Sequence, residues 1–179
     1  MTPATPRPAP RRKWLWPLVG AVPLVLLAVV YLAVWHFTRE PPNHAEVEPG
    51  LYVGGHVKSP PWLTHATLNL CEQDDPYGTP VHEWHPTRDA APAPSLDWLA
   101  ARVAFVEEHR SANRVVYVHC MNGVSRSVMV VTAYLMKRHG WSRDEALAFV
   151  RTHRQQARPN PAFIELLSEW EKRLANERG

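Results

Sequence analysis

Hydrophobic and polar positions fall into two regimes that meet near residue 40. Trp14 to Thr38 reads WLWPLVGAVPLVLLAVVYLAVWHFT, 25 residues without Lys, Arg, Asp or Glu. At about 1.5 Å per residue, a helix of that length exceeds the ~30 Å hydrocarbon core of a bilayer. Trp14 and Trp16 at one end, and Tyr31 and Trp35 at the other, suit interfacial belts; Lys13 and Arg39 flank the run, and Pro17 and Pro23 are kink points. The pattern predicts an uncleaved transmembrane helix over 14–38, ahead of a signal peptide, whose apolar run is shorter, and of a buried core helix. Residues 1–13, rich in proline and basic side chains, read as a disordered tail. Residues 39–49 hold three prolines and no apolar period and read as a linker.

From residue 50 the periods shorten. GLYVGG (50–55), ATLNLC (66–71) and RVVYVHC (114–120) are short runs rich in apolar and β-branched residues, and predict buried strands, with a further strand near Val81–Trp84. Ser95 precedes a helical period with Leu96, Leu99, Val103 and Val106 on one face. A second helix runs from Ser127 to His139 and stops at Gly140, where a left-handed residue is wanted. Ser142 and Glu145 form a capping box for a third, and Asn160 with Pro161 opens a fourth. Strands separated by helices predict an α/β domain over 50–179.

Charge changes this picture little. Of 20 Lys and Arg, five (Arg7, Arg11, Arg12, Lys13 and Arg39) precede residue 41, as does one of 17 acidic residues, Glu40. The remainder carries 15 basic and 16 acidic residues, so the basic excess belongs to the tail and a nucleic-acid partner is not indicated. Two cysteines, Cys71 and Cys120, are too few for a disulfide framework and lack metal-ligand spacing, so no metal or cofactor is expected.

The chemistry concentrates in VYVHCMNGVSRS, residues 116–127, where a strand delivers a cysteine to a loop and an arginine opens a helix. Backbone N–H groups wrapped at a helix N-terminus make a cavity for a dianion. Met121, Asn122, Gly123, Val124 and Ser125 would line it, Gly123 permitting the loop conformation and Arg126 gripping two phosphate oxygens in its planar fork. The same field favours a Cys120 thiolate, an attacking group for phosphorus, and a phosphocysteine intermediate would follow. Ser127 is placed to donate to the departing sulfur, and His119 to brace the loop. The leaving oxygen needs a proton, for which Asp89 in the loop HPTRDAAPAPS is preferred over Asp97, Asp74 and Asp75. Cys71 reads as a core residue with a second possibility as redox partner of Cys120, while Arg151, Arg154 and Arg158 read as a basic rim or a solvated helix face.

These residues resemble the dual-specificity branch of the protein tyrosine phosphatase superfamily, whose signature HCxxGxxRS stands here as His119 to Ser127. The resemblance extends over about residues 46–175. It implies a central, mostly parallel sheet flanked by helices, with Cys120 as nucleophile, Arg126 as phosphate clamp, Asp89 as general acid and Ser127 as thiolate helper. The uncharged Met121, Asn122, Val124 and Ser125 disfavour a polyphosphoinositide, because superfamily members acting on such lipids tend to carry lysines there. The short span between Cys71 and Asp89 implies a shallow cleft open to phosphoserine and phosphothreonine as well as phosphotyrosine. With an anchor ahead of it, a phospholipid headgroup is a second substrate class. A sulfurtransferase or thiol oxyanion reductase on the same loop, or a dead phosphate-binding module, are the competing functions. Four basic residues before the apolar run predict a cytoplasmic N-terminus and an extracytoplasmic domain.

Overall fold

The computed structural model describes residues 23–32, 34, 42–75 and 77–178, in two units divided after Pro41. In the first unit residues 23–32 are helical, and their large apolar side chains are exposed, Leu24 at 68% and Leu32 at 58%. No helix among the described residues is long and apolar enough to cross a membrane. The rest of the expected 14–38 span, and the tail over 1–13, lie outside the described residues.

In the second unit five strands form one mixed sheet: β1 (His44–Glu48), β2 (Leu51–Gly55), β3 (Thr64–Asn69), β4 (Val81–Trp84) and β5 (Val115–Cys120), in the order β1-β2-β5-β3-β4. The pairings β2–β5, β5–β3 and β3–β4 are parallel, and only β1–β2 is antiparallel. Strand β1 occupies the stretch read as linker. Its single fully buried side chain is Val47, between Glu46 and Glu48, so no apolar alternation betrayed it. Its backbone pairing with β2 supplies what its side chains do not.

Four helices pack around the sheet: α1 (Leu96–Ser111), α2 (Arg126–His139), α3 (Arg143–His153) and α4 (Pro161–Arg178). The Ser95 hydroxyl accepts from the Trp98 N–H at the start of α1, and Leu99, Val103 and Val106 turn into the core. Helix α2 is buried along Val128 to Met136 and ends at Gly140 with φ 71°, the left-handed stop its sequence predicts. The capping box of Ser142 and Glu145 opens α3. Asn160 Oδ1 accepts from the Phe163 N–H at the head of α4, and the Trp170 indole donates to the Ala133 carbonyl, fastening α4 to α2. The central strand β5 thus ends between two parallel neighbours, with His119 level with Gly54 and Asn69, and hands the chain to the N-terminus of α2. In open α/β sheets that carboxyl end is where ligands bind.

Candidate active site

The loop between β5 and α2 turns every carbonyl away from its centre. The Met121 carbonyl accepts from the His56 N–H at 2.9 Å and the Val124 carbonyl from the Arg158 N–H at 2.8 Å. The Asn122 and Gly123 carbonyls are both held by Arg154, through Nη2 at 2.9 Å and Nε at 2.5 Å. The one cis peptide bond among the described residues is Ala91–Pro92, so these loop peptides are trans. In a trans unit the C=O and the following N–H point opposite ways. Outward carbonyls on 121–124 therefore aim the N–H groups of Asn122, Gly123, Val124 and Ser125 inward. The Gly123 N–H does so onto Cys120 Sγ, at 3.3 Å. Gly123 has φ +65°, and a Cβ there would overlap the backbone of Gly54 and Gly55 and the Arg154 guanidinium.

Cys120 lies at the base of this cradle, 1% exposed. Burial by itself would raise its pKa, but the Ser127 hydroxyl and N–H, the Arg126 charge and the Gly123 N–H outweigh it, leaving the thiol below its ordinary value. Ser127 Oγ is 3.4 Å from Cys120 Sγ and donates to the Gly54 carbonyl at 3.0 Å. Its single hydrogen serves one of them at a time. Arg126 is anchored by Nη1, which donates to the carbonyls of Thr87 (2.9 Å) and Leu70 (3.3 Å). The Nε and Nη2 edge of its fork is then left for a phosphate, and Nε, buried, has no hydrogen-bond partner among the described residues.

Asp89 is brought to the mouth. Its Oδ1 accepts from the Ser125 hydroxyl at 2.6 Å and from Asn160 Nδ2 at 2.8 Å, while Oδ2 stands 3.7 Å from Arg126 Nε. The rejected carboxylates lie elsewhere: Asp97 pairs with Arg173, and Asp74 with His82. A profile of the dual specificity phosphatase catalytic domain matches residues 66–173. The chain belongs to the dual specificity phosphatase family. What it carries is thus a catalytic domain of phosphoric monoester hydrolases of the protein tyrosine phosphatase type.

The chain is 39% identical over 94 residues to Dual specificity protein phosphatase 16 from Homo sapiens, covering 52% of this chain and 14% of that protein. It is 35% identical over 149 residues to Dual specificity protein phosphatase 12 from Rattus norvegicus, covering 76% and 42%. It spans less than half the length of these relatives. Among solved structures, a mouse putative dual specificity phosphatase complexed with zinc tungstate superposes with a TM-score of 0.72 at 28% identity, over 78% of this chain and 92% of that one. PTPMT1 in complex with PI(5)P shares the fold at TM-score 0.67 and 22% identity, over 76% and 99%.

Three residues of the phosphatase site escape the sequence reading. Arg154 is neither rim nor solvated face: it is 5% exposed, and its Nη2 also donates to Asn43 Oδ1 at 2.6 Å. As the last residue of a helical period facing outward, it gave no sign of turning inward. Asp75, set aside as a strand-end acid, has a fully buried side chain whose Oδ2 lies 2.9 Å from His119 Nε2. His119 accordingly does not brace the loop with its ring: Nε2 meets Asp75 and Nδ1 meets Cys71 Sγ at 3.7 Å, both behind the loop. Asn160 is the helix cap its position predicts and also holds Asp89. Cys71 is 1% exposed; burial and the nearby Cys120 charge, partly offset by Arg126, push its thiol up to about 12.

Proposed function

We propose that this protein hydrolyses phosphate monoesters through a phosphocysteine intermediate. The observation that carries the reading is the ring of outward carbonyls, which leaves four N–H groups converging above the Cys120 sulfur. A phosphate there would take those donors and the Nε–Nη2 edge of Arg126. The Cys120 thiolate attacks phosphorus, the phosphorus–oxygen ester bond breaks, and the departing oxygen takes a proton from Asp89. In the second step Asp89 draws a proton from water, which attacks phosphorus. The sulfur leaves as a thiolate, towards which Ser127 turns its hydrogen. No cofactor or metal enters this cycle. Peroxide would convert Cys120 to a sulfenic acid, and condensation with the Cys71 thiol would form a disulfide and release water.

The residues before the domain bear on the substrate. The run over 14–38 has the length and end residues of a membrane anchor, and its described part exposes a row of large apolar side chains. The chain enters the domain beside the loop, where the Asn43 carbonyl accepts from the Gly55 N–H and its side chain meets Arg154. An anchor over 14–38 would be joined to the domain by a short stretch of chain and so would tether it at a membrane. A monophosphorylated lipid headgroup fits this better than a distant phosphoprotein, and the uncharged loop side chains argue against several phosphates on one ring. The test is turnover of p-nitrophenyl phosphate by the full chain in detergent, followed by phosphotyrosine and phosphoserine peptides against phospholipid vesicles. Hydrolysis lost in Cys120→Ser, with the fold intact by circular dichroism, supports the mechanism; activity retained in that variant refutes it.

A further inference from the structure

We propose that His56, Cys71 and His119 form a site for a zinc-like divalent cation behind the phosphate loop, three ligands with the fourth position open. Each offers one ligand atom, and the three atoms lie within 4.8 Å of one another. The separation of Cys71 Sγ from His119 Nδ1 is 3.7 Å. With Zn–S near 2.3 Å and Zn–N near 2.0–2.1 Å, that separation subtends an angle of about 115° at the metal, close to tetrahedral. Two imidazoles and a thiolate suit zinc and are poor ligands for magnesium or calcium.

A second observation fixes which nitrogen is available. His119 Nε2 stands 2.9 Å from Asp75 Oδ2, and both side chains are fully buried. A carboxylate accepts only, so in the neutral ring Nε2 carries the hydrogen and the Nδ1 lone pair faces Cys71. Metal-binding histidines are oriented by carboxylates in this way. Asp75 is itself held, its Oδ1 accepting from the Tyr77 N–H at 3.0 Å. His56 completes the set from outside. It is exposed, its ring lies 6.3 Å from that of His119 and stacks on Tyr77 at 5.9 Å, and its side chain has no hydrogen-bond partner among the described residues. A small rotation of this exposed ring closes the site. Its backbone N–H meanwhile holds the Met121 carbonyl, so the metal would stand one residue behind Cys120 and be tied to the loop. A Cys71 thiolate committed to zinc is no longer available to oxidised Cys120.

The rival account of the buried pair is a plain S–H···N hydrogen bond from Cys71 to His119, which needs neither metal nor His56. Full-length protein in detergent, stripped with a chelator, is titrated with zinc against a chromophoric chelator, and then with cobalt. The expected result is one zinc per chain and a thiolate-to-cobalt charge-transfer band. Both should persist in Cys120→Ser and be lost in Cys71→Ser. His56→Ala, at an exposed position that cannot unfold the core, should abolish stoichiometric zinc binding. Asp75→Asn should weaken binding roughly 10–100-fold. Neither readout depends on turnover. Zinc that survives His56→Ala, zinc that follows Cys120 instead of Cys71, or no stoichiometric binding would overturn the proposal in favour of the hydrogen bond.

Discussion

Asp89 and an incoming phosphate compete for the same guanidinium edge, since its carboxylate stands 3.7 Å from Arg126 Nε. In the proposed cycle, substrate that engages Arg126 would displace that contact while Ser125 and Asn160 still hold Asp89 for its role as acid. Asp89→Ala is therefore expected to slow hydrolysis of an alkyl phosphate by about 10²–10⁴-fold, and much less for p-nitrophenyl phosphate, whose leaving group needs no proton. Steady-state kinetics on the two substrates decide this; equal losses would point to another acid. The two thiols should also separate by pH. Cys120 is held below the ordinary thiol value and Cys71 far above it, so raising the pH deprotonates Cys120 first. In chelator-treated protein, iodoacetamide should label Cys120 ahead of Cys71 at pH values below the free-thiol pKa of ~8.5, as read by peptide mass spectrometry. Cys120, Arg126 and Ser127 were legible in sequence because their spacing is local and is imposed by one loop. Arg154 and Asp75 were not, because each acts on a partner more than 30 residues away in the chain, at Gly123 and His119.

At the scale of elements, the helices were readable because each carries its own punctuation. Ser95, Gly140, the Ser142–Glu145 box and Asn160 all stand at the ends their chemistry predicts. The inner strands β2 and β5 were readable because they are buried on both faces and so run almost continuously apolar. Strand β1 was not: it is an edge strand held by main-chain pairing, with one buried side chain. Helix α2 carries the load of the core, since it lies behind the loop and also packs against α1, α3 and α4. Leu135 on it is fully buried. Leu135→Ala should cost about 2–5 kcal/mol in urea unfolding, through the lost transfer energy and the cavity left behind. A much smaller loss would mean that the helices repack around it.

For the whole molecule, the charge asymmetry around residues 14–38 sets an expectation about sidedness. Arg7, Arg11, Arg12 and Lys13 precede the apolar run, and Arg39 behind it is offset by Glu40. Were residues 14–38 to span a membrane, the positive-inside rule would put the catalytic domain on the far side from the cytoplasm. Protease added to intact cells should digest the domain while sparing the tail; protection until lysis would reverse the orientation. Asn43 has a mechanical consequence. Because its main chain grips Gly55 and its side chain grips Arg154, which in turn clamps the carbonyls of Asn122 and Gly123, any tension arriving along the chain from residue 42 is delivered to the phosphate loop before it reaches the core. A pull on residue 42 is thus a pull on the loop that would hold the phosphate.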